Sequence, residues 1–321
     1  MKRHNKLPRY ILSAVVLLTA VLHSGCPADR SDLPEKEISL AASHEFVVQE
    51  EGLASLEETY EFHFDIVHEM AIGFTHEALR RGDVDAAIGF ATDGKIMEVD
   101  LFRLEDDRGA FPARNPAPVV RSETLDRYPQ IEDIMAGITP LLDNIAMIQL
   151  NYLVDFEEKE PSDVAREWLL EKELISDRVQ ETGGDHPVKV SSKEFTEQQI
   201  LRQITILALQ DAGIPVQDKG HVVGTENIRL DLDYDHVDLY WEYTGVAWNR
   251  IFKEDEIITD SERVFKLVAE RDAEQGLIWL DYAPMNKTYI ILMLKEHAES
   301  LEINTISELA EWVKRVQAGE L

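Results

Sequence analysis

The chain has 321 residues, 62 acidic side chains against 32 basic ones, and a formal charge of −30. A surface this acidic repels nucleic acid and anionic lipid headgroups, which excludes binding driven by phosphate contacts. A single cysteine excludes an internal disulfide, so the fold has to rest on buried apolar surface.

The chain begins with Lys2, Arg3, Lys6 and Arg9, followed by an apolar run over residues 10–22 and then by small residues leading into Cys26, the three-part layout of an export signal. The run is shorter than the roughly 20 residues a membrane-spanning helix needs. Cleavage before Cys26 would remove residues 1–25 and leave the sole cysteine at the new N-terminus, where bacterial lipoproteins are acylated. The segment His23-Ser24-Gly25-Cys26 resembles a lipobox, with His23 where an aliphatic residue is usual. The alternative is an ordinary cleaved signal with a spare thiol, which still yields an exported protein. Residues 26–36 are polar and irregular and suit a tether. The remaining chain is long enough for two units of about 100 to 200 residues each.

Beyond the tether, short β-type runs alternate with amphipathic helices, the pattern of α/β lobes. Residues 38–42 and 84–90 read as strands. Pro161 and Ser162 open a helix whose buried side carries Val164, Trp168 and Leu169. Residues 181–187, with Gly183, Gly184 and Pro187, have no apolar period and read as a loop. Thr196 and Gln199 have capping-box spacing ahead of a stripe through Ile200, Ile204 and Leu207 that Gly213 closes, and Thr305 and Glu308 repeat the box before Leu309, Trp312 and Val313.

The chain also contains an internal echo. Val84 in Gly82-Asp83-Val84-Asp85 leads to Phe90 and then Thr92, and Val237 in His236-Val237-Asp238 leads at the same step to Tyr243 and then Thr244. Each copy reads as a strand ending in an aromatic residue at a turn. Ligands of open α/β sheets gather beyond the carboxyl ends of strands, so two such units facing each other would present both rings to one cleft.

Nothing in the sequence suggests an enzyme or a cofactor. His68-Glu69 lacks the second histidine of a metalloprotease helix, and His63 and His76 read as surface or packing residues. There is no P-loop and no nucleophile-elbow serine. Asp106-Asp107 reads as a solvated or hinge-side turn, because adjacent residues on an extended chain point apart.

The second half carries Ser192-Lys193-Glu194-Phe195-Thr196-Glu197-Gln198, Gly224-Thr225-Glu226, residues 237–245 (VDLYWEYTG), Gly276-Leu277-Ile278-Trp279-Leu280, residues 283–289 (APMNKTY) and Thr305-Ile306-Ser307-Glu308-Leu309. In that order these resemble the first half of the glycine betaine, choline and related compatible-solute binding proteins of ABC importers. The first half is similar to that family's second half, through Glu45-Phe46, Gly52-Leu53, Thr92-Asp93-Gly94, residues 104–109 (LEDDRG), Leu150-Asn151-Tyr152 and Val164-Ala165-Arg166-Glu167. Together the two cover nearly all of residues 38–316 in swapped order, so the sequence looks like a circular permutant.

The resemblance implies a two-lobed, type II periplasmic-binding-protein fold of α/β class, circularly permuted, with a ligand cleft between the lobes. One lobe would span residues 115–287, and the other would combine 37–114 with 288–321. The chain would cross near Arg114 and Thr288, the loop at 181–187 would join the family's usual termini, and Leu321 would lie near Ile38. It also implies a quaternary-amine or zwitterionic solute, an ABC permease as partner, and attachment to the cell-envelope membrane through Cys26. Two cage tyrosines of the family match Tyr243 and Tyr289, and Phe90 matches a third. Arg114 stands at the fourth, where a guanidinium would repel a trimethylammonium or clamp a carboxylate. Lys193 matches a carboxylate contact, while Gln49 and Val246 stand where arginine and threonine are frequent. Trp241 and Trp248 flank Tyr243 and read either as extra walls or as plain core residues, with Tyr240 as a packing residue against a helix. The other reading is a non-transport sensor or interaction module with a degenerate pocket on the same fold.

Overall fold

The computed structural model describes residues 37–97, 100–177 and 184–321. The export signal at 1–25, Cys26, the tether at 26–36 and residues 181–183 of the glycine loop lie outside the described residues.

Among the described residues, ten strands form two five-stranded sheets. The first contains β1 (Ser39–Ala42), β2 (Ile66–Glu69), β3 (Ala86–Phe90), β4 (Leu101–Arg103) and β10 (Tyr289–Leu294), in the order β2-β1-β3-β10-β4. The second contains β5 (Pro116–Arg121), β6 (Val188–Lys193), β7 (Val216–Val222), β8 (Leu239–Tyr243) and β9 (Leu277–Trp279), in the order β7-β6-β8-β5-β9. Both have one plan, in which three parallel strands are followed by an antiparallel return strand and a short edge strand attached to it. β3 and β8 therefore hold equivalent places, so the echo seen in the sequence is a repeated strand. The central strands are buried along their length, as parallel strands covered by helices on both faces must be.

Each sheet has its own core. One face of the first sheet packs Leu40, Ile88, Ile291 and Met293 with Phe46, Leu56, Leu309 and Val313 from the flanking helices, and the other packs Ala41, Ala87 and Leu292 with Leu79. The second sheet is covered on one face by the helices Pro161–Glu171 and Thr196–Asp211 and on the other by the helix Ser261–Ala273. The helix Ile306–Gln317 shows how local sequence and core cooperate. Thr305 Oγ1 accepts the Glu308 N–H at 3.2 Å, the Glu308 carboxylate accepts the Thr305 N–H at 3.1 Å, and the stripe Leu309, Trp312 and Val313 is buried. Fully burying such side chains contributes roughly 1.5–3 kcal/mol each.

The matching box expected at Thr196 does not form. Phe195 holds the N-cap position without a side-chain cap, Thr196 Oγ1 donates instead to Asp155 Oδ1 at 2.6 Å, and the Gln199 amide donates to the Glu194 carbonyl at 2.7 Å. The helix starts one residue early, with Phe195 as N-cap, so Thr196 is already helical and its hydroxyl proton goes to the carboxylate in a charge-assisted bond.

The chain passes between the sheets after Arg114 and again before β10, and the two passages are tied together. Arg114 N donates to Asn286 Oδ1 at 2.8 Å, Lys287 N to the Arg114 carbonyl at 3.1 Å, and Thr288 Oγ1 to the Pro112 carbonyl at 2.8 Å. Gly245 fits against this junction because it has no side chain: a Cβ there would lie 2.4 Å from the Ala113 carbonyl oxygen. At the far end of the first sheet, one carboxylate holds both ends of the described fold. Asp65 accepts the Ile38 N–H at 2.8 Å and the Gln317 side-chain amide at 2.9 Å.

Candidate functional site

The carboxyl ends of β3, β6 and β8 deliver Phe90, Lys193 and Tyr243 into one cleft of about 470 Å³, which the junction residues Arg114 and Lys287 also line. Open α/β sheets generally place their sites there, because the strand ends leave side chains free of the sheet.

On the β8 side, the Tyr243 hydroxyl donates to Glu197 Oε1 at 2.5 Å and its ring stacks on Phe195, with centroids 6.1 Å apart. Burial pushes the Tyr243 phenol well above its ordinary range, and the Glu197 charge adds to this, so the hydroxyl stays protonated and serves as a donor. Glu197 opens the helix Thr196–Asp211, where a carboxylate also faces the positive end of the helix dipole. Its other oxygen takes the Asn151 amide at 3.3 Å and lies 3.8 Å from Lys287 Nζ. Lys193 Nζ meets Glu242 Oε1 at 2.6 Å with both side chains buried, and the Tyr240 hydroxyl donates to the other Glu242 oxygen at 3.0 Å. The Lys193 charge is thus already paired.

On the β3 side, the ladder pairs Phe90 with Tyr289, and their rings stack at 5.1 Å and 20°. Asp93 Oδ2 accepts the Phe90 N–H at 2.8 Å and fixes the turn that presents the ring. The Arg114 guanidinium lies 4.4 Å from the Tyr289 centroid and 3.4 Å from a Glu51 oxygen. Arg250 pairs with Glu45 at the rim, and burial lowers the Arg250 pKa. Asp155, held by Thr196, is raised above the usual carboxylate range by burial and by its neighbour Asp93.

The expected residues divide into two groups. Tyr243, Phe90, Lys193, Arg114 and Val246 line the common cleft. Tyr289, Gln49 and Trp241 do not. Tyr289 is 1% exposed because Phe46 and Phe111 meet its ring edge-on while Phe90 covers it, so it backs a wall rather than forming one. Gln49 opens onto a separate cavity of about 220 Å³ with Glu50, Glu51, Asn249, Glu254 and Asp255. Trp241 shares a strand face with Tyr243 but lies two residues deeper, under the helix Thr196–Asp211, with its indole N–H on Thr205 Oγ1 at 2.9 Å. Tyr240 is fully buried, and Trp248 packs beside the β8 core with its indole N–H on the Glu256 carbonyl. Asp106 is a turn anchor, accepting the Tyr60 hydroxyl and the N–H groups of residues 109–111.

Sequence reasoning missed Phe195, Glu197 and Lys287, although all three lie within the motifs that carry the family resemblance. Their local signal was nearness in sequence to Thr196 and Tyr289. Among the described residues there is no cluster of three or more metal-ligating side chains and no helix long and apolar enough to cross a membrane.

The sequence profile of the substrate-binding domain of the ABC-type glycine betaine transport system matches residues 28–171 and 186–319. The chain belongs to that family. Its fold is accordingly the two-lobed type II architecture, one sheet to each lobe. Among curated relatives, a glycine-betaine-binding protein of Pseudomonas aeruginosa is 34% identical over 45% of this chain and 47% of its own length. The ergothioneine transport permease/ergothioneine binding protein of Helicobacter pylori is 31% identical over 43% of this chain and 25% of its own length. A carnitine transport binding protein of Listeria monocytogenes is 29% identical over 42% and 44%. The chain thus spans about half or less of the length of these family members. A crystal structure of a glycine betaine/carnitine/choline ABC transporter aligns over 44% of this chain and 51% of its own, at 28% identity and a TM-score of 0.37.

Proposed function

We propose that this chain is the solute receptor of an ABC importer. It closes its two lobes on a small solute of the glycine betaine, choline or related quaternary-amine and zwitterionic class, and it is held at the outer face of a membrane through lipidated Cys26. The observation that carries the reading is that Phe90 and Tyr243, ends of equivalent strands in different sheets, line one cleft. A ligand touching both favours the closed arrangement by its extra contacts there, and closure is a state a permease can sense. Each well-placed ring contributes about 0.5–2 kcal/mol toward a cationic headgroup.

The chain order fits a circular permutation. The family profile aligns in two segments separated at residues 172–185, and the Asp65 carboxylate joins the beginning and end of the fold, as a rearrangement between neighbouring surface termini requires. In that arrangement residues 115–287 make one lobe, and 37–114 with 288–321 make the other.

Titrating purified protein with betaines, choline, carnitine and ectoine while following melting temperature and tryptophan fluorescence tests the reading. A ligand-dependent rise in melting temperature that Tyr243→Ala abolishes is the expected result. Silence across the panel removes the transport assignment.

A further inference from the structure

Phe90, Phe195 and Tyr243 at the cleft, and Tyr289 behind Phe90, each have a cation of the protein's own beside the ring. Lys287 Nζ sits 4.3 Å from the Phe90 centroid and 5.1 Å from that of Phe195, so one ammonium occupies the gap between rings contributed by the two lobes. The same ammonium lies 3.8 Å from Glu197 Oε2, and its charge also acts on Asp155. Arg114 covers Tyr289, and Lys193 lies 5.4 Å from the centre of the Tyr243 ring. Two rings and a group of carboxylates are what a quaternary ammonium would seek, and Lys287 holds that position from a backbone anchored by its N–H on the Arg114 carbonyl.

Arg114 and Arg250, although paired with Glu51 and Glu45, each keep one donor unused. The Arg114 guanidinium lies over the Tyr289 ring, and Arg114 Nε and Arg250 Nε are buried without a hydrogen-bond partner among the described residues, as is the Tyr289 hydroxyl behind the wall. Buried donors of this kind call for an acceptor, and a carboxylate has oxygens to offer several at once.

We infer that Lys287 is the resident cation of the aromatic seat and sets the solute class: the cleft recognises an organic carboxylate through Arg114 and Arg250, and it gains little from a permanent positive charge on the solute. This rests on the receptor reading and narrows it, placing choline among the rejected solutes.

Isothermal titration with three probes tests the inference: glycine betaine, choline, and 3,3-dimethylbutanoate, in which a carbon replaces the betaine nitrogen and removes the positive charge. Wild-type protein is expected to bind glycine betaine and 3,3-dimethylbutanoate within about threefold of each other and choline at least about tenfold more weakly. Lys287→Met is expected to gain about tenfold for choline and glycine betaine and little for 3,3-dimethylbutanoate, a change in the range of one cation–ring contact. Lys287→Arg is expected to keep the wild-type order. Choline binding wild-type protein as well as glycine betaine does, or glycine betaine binding tenfold better than its uncharged-head isostere, overturns the inference and leaves the receptor reading standing. No heat from any probe with folded wild-type protein or either variant overturns the receptor reading and the inference with it. The wild-type comparison alone decides the point if Lys287→Met does not fold.

Discussion

Phe90 and Tyr243 end strands that are third in their sheets, yet the two walls are held by different forces. Phe90 rests on a stack of rings, Tyr289 behind it and Phe46 and Phe111 behind that, so its position follows from apolar packing. Tyr243 is held by charge and hydrogen bonds, with its hydroxyl on Glu197 and, beneath its backbone, the buried Lys193–Glu242–Tyr240 group. The shared topology decides where a ring is presented, and local chemistry decides what it costs to move it. A packed wall loses stability in proportion to the volume removed, whereas a wall held by buried charge fails when one partner is lost.

The largest effect is therefore expected from Glu242→Ala, which leaves the Lys193 ammonium buried and unpaired and takes the acceptor from the Tyr240 hydroxyl and the Tyr243 N–H. Breaking one side of a buried pair costs about 3–5 kcal/mol, measurable as a lower urea midpoint. The double variant Lys193→Met/Glu242→Leu should recover most of that loss, and a loss under about 1 kcal/mol in the single variant would show that charge does not hold this wall. Phe90→Ala comes next. Fully buried phenylalanines lose about 3–5 kcal/mol on truncation, and because Phe90 is only partly buried a loss of about 2 kcal/mol is expected in the same assay.

Tyr243→Phe keeps the ring and removes one donor from buried Glu197, for an expected loss of about 1–2 kcal/mol. The equivalent change in the other wall, Phe90→Tyr, has no such donor to lose. If the two substitutions cost the same, the distinction between the walls fails.

The smallest effect is a pH dependence beneath the Phe90 wall. Burial lowers the His76 pKa below its ordinary 6.5, while Asp93, 3.8 Å away, opposes the shift and Lys95 reinforces it. Thr75 Oγ1 is the other polar neighbour, 3.4 Å from Nδ1. A histidine held neutral in the fold and protonated more readily when unfolded contributes fully above 6.5, and the contribution is lost as pH falls from there toward the lowered folded value. His76→Gln should flatten the decline of melting temperature over that interval. An unchanged slope would assign the decline to other groups.

The two capping boxes show how far local sequence carries. Thr305 and Glu308 behave as their spacing predicts because Thr305 is the N-cap, and the Glu308 carboxylate accepts the Asn304 N–H together with that of Thr305. Thr196 and Gln199 have the same spacing and fail, because the helix begins one residue early with Phe195 as N-cap, and the Thr196 hydroxyl donates at 2.6 Å to Asp155, 41 residues away. Tyr289 teaches the same lesson for the site. Its motif pointed to the cleft, but pairing with Phe90 across the ladder and closure by Phe46 and Phe111 put it behind the wall. Lys287 was invisible as a site residue because its partners Phe90, Phe195 and Glu197 are remote in sequence, and no period links them.

From the sequence alone came the alternation of strand and helix, the family, and the two aromatic strand ends, because these depend on short-range periodicity and on motifs that lie whole within a few residues. Which ring faces the open cleft, which cation is already paired and which one fills the aromatic seat were decided by the tertiary structure. Those outcomes depend on sheet register and on the two chain passages between the lobes, which bring together charges and rings from distant segments, and at such short range the burial of each group sets the strength of every interaction.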